Sequence, residues 1–492
     1  MIALLNPTSA RWKHRFPLSL MFVGTALEGK YPYRILDQNL NPSVQDELEQ
    51  LVSRGEIKYL GLTVMPGPQL MHAIPLSRSL KQQYPHLNII WGGYFSTLHA
   101  GTVLNSGYVD YVVRGQGDKT FLELIDVLEK NSRMDLSDVQ GLSYHRDGTV
   151  NHNPLRAPGD PNLLPPLPYD KVAGDRYIGN SSLGTRTAAY YSSFGCPFLC
   201  GFCAIASVYQ ARWLAKTAGS IVNDLDELKR RYQINAVEFF DENFFTSEKR
   251  THEFSEKLIG RDIAWWGEGR PDTVLDYSDE TLDLMARGGS KMIFFGAESA
   301  SEETLKQMNK GGTQTPDTVI LLAERLKRFG IIPEFSFVFG HPSDDVDKDF
   351  EHNIRFIRKI KEVNPAAEII MYMYAPVVFE ESELFRQAGQ YGFQFPQTLD
   401  EWLDPKWQDF DLRKTPVIPW LKPRHYTTFK NFERVLNGYF PTVTDIRLTR
   451  KRRELLRLVT RWRYNAETYS FPLELRLLFR LFRYRQPEIE GL

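Results

Sequence analysis

The chain has 492 residues, and its 60 Lys and Arg residues nearly balance its 61 Asp and Glu residues. The resulting net charge of −1 gives no overall attraction to nucleic acid, so we expect no nucleic-acid partner. Only three cysteines are present, which excludes a disulfide framework and suits a reducing compartment.

The length of the chain predicts two or three domains. Its first seven residues are typical of a buried strand and lack the pattern of a secretion signal. No apolar run reaches the roughly 18 residues that a membrane span needs. We therefore expect a cytoplasmic protein.

Residues 1–140 alternate short apolar runs with helical patterns, which predicts a doubly wound, Rossmann-like parallel sheet. Ligands of such sheets bind at the carboxyl ends of the strands, where glycines let the backbone approach a large ligand. The same glycines are also common in turns for geometric reasons alone. The predicted strands cover residues 2–5, 34–37, 59–64, 88–91 and 111–113, and the predicted helices cover 18–27, 44–52, 69–82 and 120–128.

Residues 141–185 read as a linker. Asp147 and Gly148 predict a hairpin turn between strands at 142–145 and 150–152. Six prolines follow between positions 154 and 168, a density that excludes a helix or a central strand. This segment is typical of an extended connector between domains, and a proline-rich partner site is the alternative.

Residues 186–385 contain six strand–helix units, which predict a partial (β/α)6 TIM-like barrel with its site at the carboxyl ends of the strands. The predicted strands cover residues 188–193, 236–241, 263–267, 291–296, 334–340 and 368–374. The predicted helices include 218–232, 247–259, 279–287, 316–329 and 346–363.

All three cysteines follow the first strand of this barrel, in a C-x₃-C-x₂-C pattern formed by Cys196, Cys200 and Cys203. Thiolates are soft ligands that suit iron–sulfur clusters, and three of them leave one iron of a cubane cluster open. Three unrelated buried thiols are one alternative. A zinc site is another, although a structural zinc needs four ligands and none other stands nearby.

This stretch, with Phe202 just before the last cysteine, resembles the signature of the radical S-adenosylmethionine (SAM) enzymes. The resemblance implies that SAM binds the open iron of a 4Fe-4S cluster and is reductively cleaved to a 5′-deoxyadenosyl radical. It implies no chemistry for Lys310. It also implies positions for the SAM contacts. These are Phe202 and Gly340 at the adenine, Asp241, Glu242 and Asn243 near the methionine amino group, and Arg270 or Glu298 near the ribose or carboxylate. The alternative for each of them is a helix cap or turn.

The N-terminal domain resembles the cobalamin-binding domain that precedes many radical SAM cores. Thr63 is followed at the family's spacing by Gly92 and Gly93, and these residues with Gly115 are the implied cobalamin contacts. The family's Asp-x-His-x-x-Gly loop is absent after the first strand, where His14 stands alone. Cobalamin is therefore expected without a histidine ligand from that loop, and a degenerate domain that binds nothing is the alternative.

Residues 386–492 form an aromatic and basic extension, predicted to be helical. Residues 445–486 carry 12 Lys and Arg against four Asp and Glu, interleaved with leucines. A basic amphipathic helix suits peripheral attachment at the inner membrane surface. An acidic partner, RNA, or a solvated face packed on the acidic body are the alternatives.

Together these patterns predict a cobalamin-dependent radical SAM enzyme that methylates an unactivated carbon of a small-molecule, lipid or pigment substrate. A flavodoxin or ferredoxin is the expected reductant. An oxidative cyclase or rearrangement enzyme with the same domain order is the alternative. A non-enzymatic cobalamin or iron–sulfur sensor is the alternative from a different class.

Overall fold

The computed structural model describes residues 1–9, 15–310, 312–408 and 417–484. His14 lies outside these ranges. The N-terminal domain has seven strands, β1 (Ile2–Asn6), β2 (Tyr33–Asp37), β3 (Tyr59–Thr63), β4 (Asn88–Gly92), β5 (Tyr111–Val113), β6 (Leu142–Arg146) and β7 (Thr149–His152). Its helices are α1 (Leu18–Leu27), α2 (Val44–Ser53), α3 (Pro68–Gln83), α4 (Tyr94–Leu98), α5 (Ala100–Leu104) and α6 (Asp118–Leu128).

The N-terminal strands form one sheet in the order β2-β1-β3-β4-β5-β6-β7. The first five are parallel, which confirms the doubly wound sheet. The strand order reverses between β1 and β3, and such a switch point opens a crevice at the carboxyl ends of the strands. The hairpin β6–β7 pairs antiparallel with β5, so it continues this sheet, whereas the sequence pattern assigns it to the linker.

The central domain is a parallel sheet of six strands that neighbour one another in chain order, as a partial (β/α)6 barrel requires. Its strands are β8 (Thr187–Tyr190), β11 (Ala236–Phe239), β12 (Ala264–Gly269), β13 (Ser290–Glu298), β14 (Ile332–Phe339) and β15 (Glu368–Met373), and a separate antiparallel pair is formed by β9 (Ser193–Gly195) and β10 (Trp213–Ala215). Its helices are α7 (Ala204–Tyr209), α8 (Ala218–Tyr232), α9 (Glu248–Leu258), α10 (Pro271–Leu275), α11 (Asp279–Arg287), α12 (Glu302–Gln307), α13 (Pro316–Phe329) and α14 (Val346–Val363).

Capping residues next to each helix set the ends of several barrel helices. The side chain of Thr217 accepts a hydrogen bond from the backbone of α8, and Gln233 ends that helix in a left-handed conformation. Thr315 forms a capping box at the start of α13, and Gly330 ends it. Both helices therefore begin and end where the sequence predicts.

The first barrel strand is shorter than the predicted span of 188–193. It ends at Tyr190, and the chain then turns into β9, which pairs with β10. The backbone N–H of Ser192 donates to Asp241 instead of to a neighbouring strand. This side-chain bond replaces a ladder bond and divides the segment in two.

The C-terminal region is helical, with α15 (Glu383–Gln390), α16 (Leu399–Trp402), α17 (Pro423–Tyr439), α18 (Arg450–Asn465) and α19 (Leu473–Phe482). Trp402 packs edge-on against Phe95 of the N-terminal domain, with ring centroids 5.0 Å apart. Among the described helices, none combines the length and apolar character needed to cross a membrane.

Candidate functional site

The loop that carries the three cysteines is held by bonds from distant parts of the chain. Gly201 donates its N–H to Met308 O at 2.9 Å, and its carbonyl accepts a hydrogen bond from Ser382 Oγ at 2.6 Å. A Cβ atom at Gly201 would lie 2.7 Å from Ser382 Oγ, so the close approach requires glycine. The loop is thus fixed between the ends of α12 and α15.

The thiols of the loop are buried or half-buried, and burial raises the pKa of each, that of Cys203 to about 12. Two donors face their sulfur atoms: Asn243 Nδ2 lies 3.8 Å from Cys196 Sγ, and Arg270 Nη1 lies 3.7 Å from Cys200 Sγ. Such donors favour the thiolate form that binds iron.

Within the described ranges, no group of three or more His, Cys, Asp or Glu side chains, the three cysteines included, is arranged so that it could hold a metal ion. The fit of the loop to an iron–sulfur cluster therefore rests on its donor chemistry. Three thiolates with facing amide and guanidinium donors are the ligands and outer contacts that such clusters use.

Asp241 is tied to the segment that precedes the cysteine loop. It is fully buried and accepts hydrogen bonds from Ser192 N at 2.6 Å and from Ser193 Oγ at 2.7 Å, with Arg250 3.7 Å away. These contacts fix the start of the strand that leads into the cysteine loop. Asp241 thus holds that strand in place in this structure, whereas the sequence resemblance assigns it to the amino group of SAM.

Arg270 and Lys310 place two buried cations beside the cysteine loop. Arg270 forms a two-pronged ion pair with Asp272 at 2.7 and 3.0 Å, and its guanidinium lies 4.0 Å from the centre of the Phe198 ring. Lys310 Nζ lies 2.7 Å from Glu298 Oε1. Both cations are thus paired with a carboxylate of the chain itself, beside the cysteine loop.

Glu298 has a backbone φ of +63°, which is strained for a residue with a side chain. It follows a bulge at the end of β13, where the pairing with β14 shifts between Gly296 and Glu298. Its second oxygen, Oε2, accepts a hydrogen bond from Ser336 Oγ at 3.3 Å. The bulge directs this carboxylate into the barrel beside Lys310.

Gly340 is covered by the C-terminal region. A Cβ atom there would lie 2.8 Å from the side chain of Leu421, and its carbonyl accepts a hydrogen bond from Trp420 Nε1 at 3.1 Å. The close approach at this glycine is thus made by the protein itself. A SAM contact at Gly340 stays a prediction from the resemblance.

A cavity of about 1580 Å³ joins the barrel to the N-terminal domain. Typical small-molecule pockets have volumes of about 300–1,000 Å³, so this one has room for several ligands. Phe202, Cys203, Glu242 and Glu298 line its barrel side. Aromatic side chains of the C-terminal region also line it, namely Phe395, Trp402, Tyr426 and Phe429.

All four implied cobalamin contacts line this cavity, namely Thr63, Gly92, Gly93 and Gly115. Gly93 has a φ of +90°, and a Cβ atom there would lie 2.7 Å from Val64 O. The loops at the switch point are tied together by Gln69, which accepts a hydrogen bond from Met65 N at 2.8 Å and donates to Asn6 Oδ1 at 3.0 Å.

The cavity continues into the N-terminal domain as a slot between the sheet and its helices, lined by Leu4, Gly61, Ile90 and Phe121. A Cβ atom at Gly61 would lie 2.9 Å from the Phe121 ring, so glycine lets this ring pack against the strand. A flat surface at the strand ends with a slot beneath it fits cobalamin, which consists of a flat corrin and an extended nucleotide tail.

Glu242 connects the two halves of the cavity. Its Oε1 accepts a hydrogen bond from Tyr94 OH of the N-terminal domain at 3.3 Å, and its Oε2 accepts one from Gly195 N at 3.2 Å. Burial raises the pKa of Glu242 to about 7. The carboxyl group therefore stands between the cysteine loop and the strand ends of the N-terminal sheet.

The comparisons with known proteins agree with this geometry. Residues 190–372 match the model of the radical SAM superfamily, and residues 15–125 match that of the B12 binding domain. The chain belongs to the cobalamin-dependent radical SAM enzymes. Its cofactors are a 4Fe-4S cluster, SAM and cobalamin.

Two named relatives illustrate the range of this family. An uncharacterized methyltransferase of Pyrococcus horikoshii is 28% identical over 349 residues, which cover 70% of this chain and 73% of the relative. An anaerobic magnesium-protoporphyrin IX monomethyl ester cyclase of a Synechocystis species is 28% identical over 335 residues, 64% of each chain.

Solved structures share the fold. The radical SAM methyltransferase TsrM of Kitasatospora setae, with tryptophan and a SAM analogue bound, superposes with a TM-score of 0.62 at 16% identity over 79% of this chain and 76% of that one. The cobalamin-dependent SAM radical enzyme OxsB, with aqua-cobalamin and SAM bound, gives a TM-score of 0.63 at 19% identity, covering 82% and 55%.

Sequence reasoning missed three groups at the site. Lys310 lies beside Phe202 and Glu298, and its only signal was a Lys-Gly-Gly pattern. Tyr94 directly follows the Gly92–Gly93 pair yet contacts the barrel. Glu268, near the end of β12, lines the cavity; the sequence places it in the polar stretch of that strand end, but the resemblance implies a role only for Arg270 there.

Proposed function

We propose that this enzyme methylates an unactivated carbon of a small-molecule, lipid or pigment substrate held between the barrel and the N-terminal domain. One observation supports this proposal most: a single cavity is lined by Cys203 of the cluster loop and by the strand ends that fit cobalamin. SAM bound at the cysteine loop and cobalamin bound at these strand ends would therefore share one cavity with the substrate. When bound, SAM would supply the radical and the methyl groups, and cobalamin would supply the methyl-transfer chemistry.

The residues of the chain position these partners and exclude water. Arg270 and Lys310 offer fixed positive charge to the carboxylate of SAM, while Asn243 and Arg270 donate toward cysteine sulfur atoms. The hydrogen bond between Tyr94 and Glu242 links the barrel to the strand ends of the N-terminal sheet, where cobalamin is proposed to bind. This bond helps to set the distance between the two sides of the cavity. The aromatic side chains of the C-terminal region shield the cavity from bulk water.

The test uses SAM that carries a CD₃ methyl group, a reductant, and metabolite extracts of a strain lacking the gene. Methylation predicts a product that gains CD₃, with S-adenosylhomocysteine and 5′-deoxyadenosine formed in equal amounts. Flavodoxin and ferredoxin are the proposed physiological reductants, and each is compared with a chemical reductant. 5′-Deoxyadenosine without S-adenosylhomocysteine would contradict methyl transfer.

An oxidative cyclase is the second candidate, favoured by the similarity to the Synechocystis cyclase. A cyclase releases 5′-deoxyadenosine while the substrate gains no methyl carbon. The same experiment therefore distinguishes the two reactions. A sensor from a different class would form neither nucleoside product.

Attachment to an anionic membrane surface belongs to the same proposal. Helices α18 and α19 expose leucines on their outer faces: Leu458 and Leu481 are each 70% exposed and Leu477 is 68% exposed. Leu475 of α19 is fully buried, and residues two positions apart point to nearly opposite sides of a helix. The apolar stripe of α19 therefore faces away from the protein.

Basic side chains border these leucines. Exposed Lys and Arg residues of the two helices and their ends are Arg450, Lys451, Arg452, Arg457, Arg461, Arg476, Arg480 and Arg483. An apolar face bordered by cations is complementary to a bilayer with anionic lipids. Such attachment would place the enzyme beside a lipid or pigment substrate.

A further inference from the structure

Glu268 is a polar group in the cavity that the cofactor contacts leave unused. It lies near the end of β12, and its side chain lines the cavity on the barrel side. Its Oε1 is buried and accepts no hydrogen bond from any residue in the described ranges. A buried carboxylate oxygen without a donor is costly, so this oxygen points to a ligand that supplies one.

The surroundings of Glu268 are aromatic. Tyr191, Phe240 and Phe294 line the same cavity, and Trp266 joins the last two, with ring centroids 5.8 Å from Phe240 and 6.4 Å from Phe294. We call these four residues the aromatic wall. Apolar walls with a few convergent polar groups are typical of small-molecule sites.

Two carboxyl groups and one arginine set the electrostatics at this end of the cavity. Glu242 lines the same cavity, and burial together with repulsion from Glu242 raises the pKa of Glu268 to about 8. Arg15 acts in the opposite sense and lies 4.0 Å from the Phe240 ring. A bound cation would favour the ionised form of both carboxyl groups, so this end of the cavity suits a hydrogen-bond donor, above all a cationic one.

We propose that Glu268 binds a hydrogen-bond donor of the substrate, an ammonium or a hydroxyl group, while the aromatic wall binds the apolar part beside it. This inference rests on the proposed function in one respect, that the cavity holds the substrate. It defines the substrate class at the barrel end: an apolar group that carries a hydrogen-bond donor.

The test measures binding of four matched probes to the protein loaded with cluster and cobalamin: benzylammonium, benzyl alcohol, toluene and benzoate. Ligand-observed NMR reports their affinities. The two donors are expected to bind more tightly than toluene and benzoate. Glu268→Leu should weaken both donors by about tenfold or more, and Glu268→Gln should weaken benzylammonium by a similar factor while benzyl alcohol keeps its affinity.

Glu253→Leu is the control, because Glu253 is an exposed carboxylate on α9. Unchanged donor binding in Glu268→Leu, or a preference of the wild type for benzoate, would overturn the inference. Loss of cobalamin or of substrate-free SAM cleavage in Glu268→Leu would also overturn it, since Glu268 would then contact a cofactor. Failure of the proposed function is distinct: the wild type would form no 5′-deoxyadenosine, whatever its probe binding.

Discussion

The buried ion pairs Arg270–Asp272 and Lys310–Glu298 stand where the loop of cysteines meets the barrel. Burying four charged groups is costly in itself, so each pair is weak evidence for added stability. Their position gives them another role. A cation already held by a carboxylate is fixed in direction, so it can accept a second carboxylate without reorganising.

A substitution at Asp241 tests whether this residue holds the segment before the cysteine loop in place or contacts SAM. Asp241→Ala would leave Arg250 and the Ser192 backbone without their buried partner. We expect the free energy of unfolding to fall by about 3 kcal/mol, as for other broken buried pairs. Urea unfolding measures this change.

Asp226→Ala is the control for that change, because the Asp226–Arg261 pair is exposed, and a change below about 1 kcal/mol is expected. If Asp241→Ala kept its stability but lost affinity for SAM, Asp241 would be a SAM contact, as the resemblance implies.

Gly92 offers a test of cobalamin binding that spares the fold. A Cβ atom at Gly92 would meet only ordinary contacts, 3.6 Å from Val113 O, whereas one at Gly93 would clash with Val64. Gly92→Leu should therefore fold and lower cobalamin affinity by about tenfold, since overpacking costs about 1–3 kcal/mol. Gel filtration with hydroxocobalamin, followed by absorbance of the retained corrin, measures it.

The matched control is Gly101→Leu, on α5, where a Cβ atom would meet no other atom. It should retain cobalamin like the wild type. Equal retention by Gly92→Leu would show that the cofactor does not reach this strand end.

At the scale of elements, helices with strong local signals were predictable. The bounds of α8, α11, α13 and α14 follow from caps and apolar periodicity within each segment, and the structure confirms them. The short strand β10 was not predicted, because its pairing with β9 depends on a partner some 20 residues away in the chain.

The parts of the site whose residues are close together in the sequence were predictable. The contacts between residues that are far apart in the sequence were not. The cysteine motif is local, and so is the glycine pair at the end of β4. Contacts such as Lys310 with Glu298 and Leu421 over Gly340 arise from the packing of separate elements. No pattern within a segment encodes such pairs.

The exposed leucines and basic residues of α18 and α19 predict binding to anionic membranes. Intact protein should co-sediment with vesicles of phosphatidylglycerol and phosphatidylcholine at low salt and be released as salt rises. Leu458→Gln combined with Leu477→Gln should weaken vesicle binding by about tenfold or more, because each exposed leucine would lose burial worth about 1.5–3 kcal/mol.

Leu163→Gln combined with Leu321→Gln is the control pair, since both leucines are exposed elsewhere, at 83% and 53%. Substitution is preferable to truncation of the helix pair, because Tyr484 OH accepts a hydrogen bond from Thr442 N and lies in the core. Equal sedimentation of both double variants would rule out the membrane face.

At the scale of the whole molecule, contacts between the domains shape the cavity. Tyr94 reaches Glu242 across the cavity, Trp402 of the C-terminal region packs on Phe95, and Phe16 stacks on Tyr177 of the connector, with ring centroids 5.0 Å apart. Aromatic contacts of this kind are rigid. The fold therefore sets the distance between the cysteine loop and the strand ends of the N-terminal sheet.

Cys196, Cys200 and Cys203 are expected to hold a cluster with one open iron at which SAM is cleaved. The most direct measurement is 5′-deoxyadenosine formation by anaerobically reconstituted protein, together with its iron and sulfide content. We expect about four iron and four sulfide per chain and SAM cleavage in the wild type. We expect neither in the variant with all three cysteines changed to alanine, and 5′-deoxyadenosine formed by that variant would contradict the assignment of these cysteines.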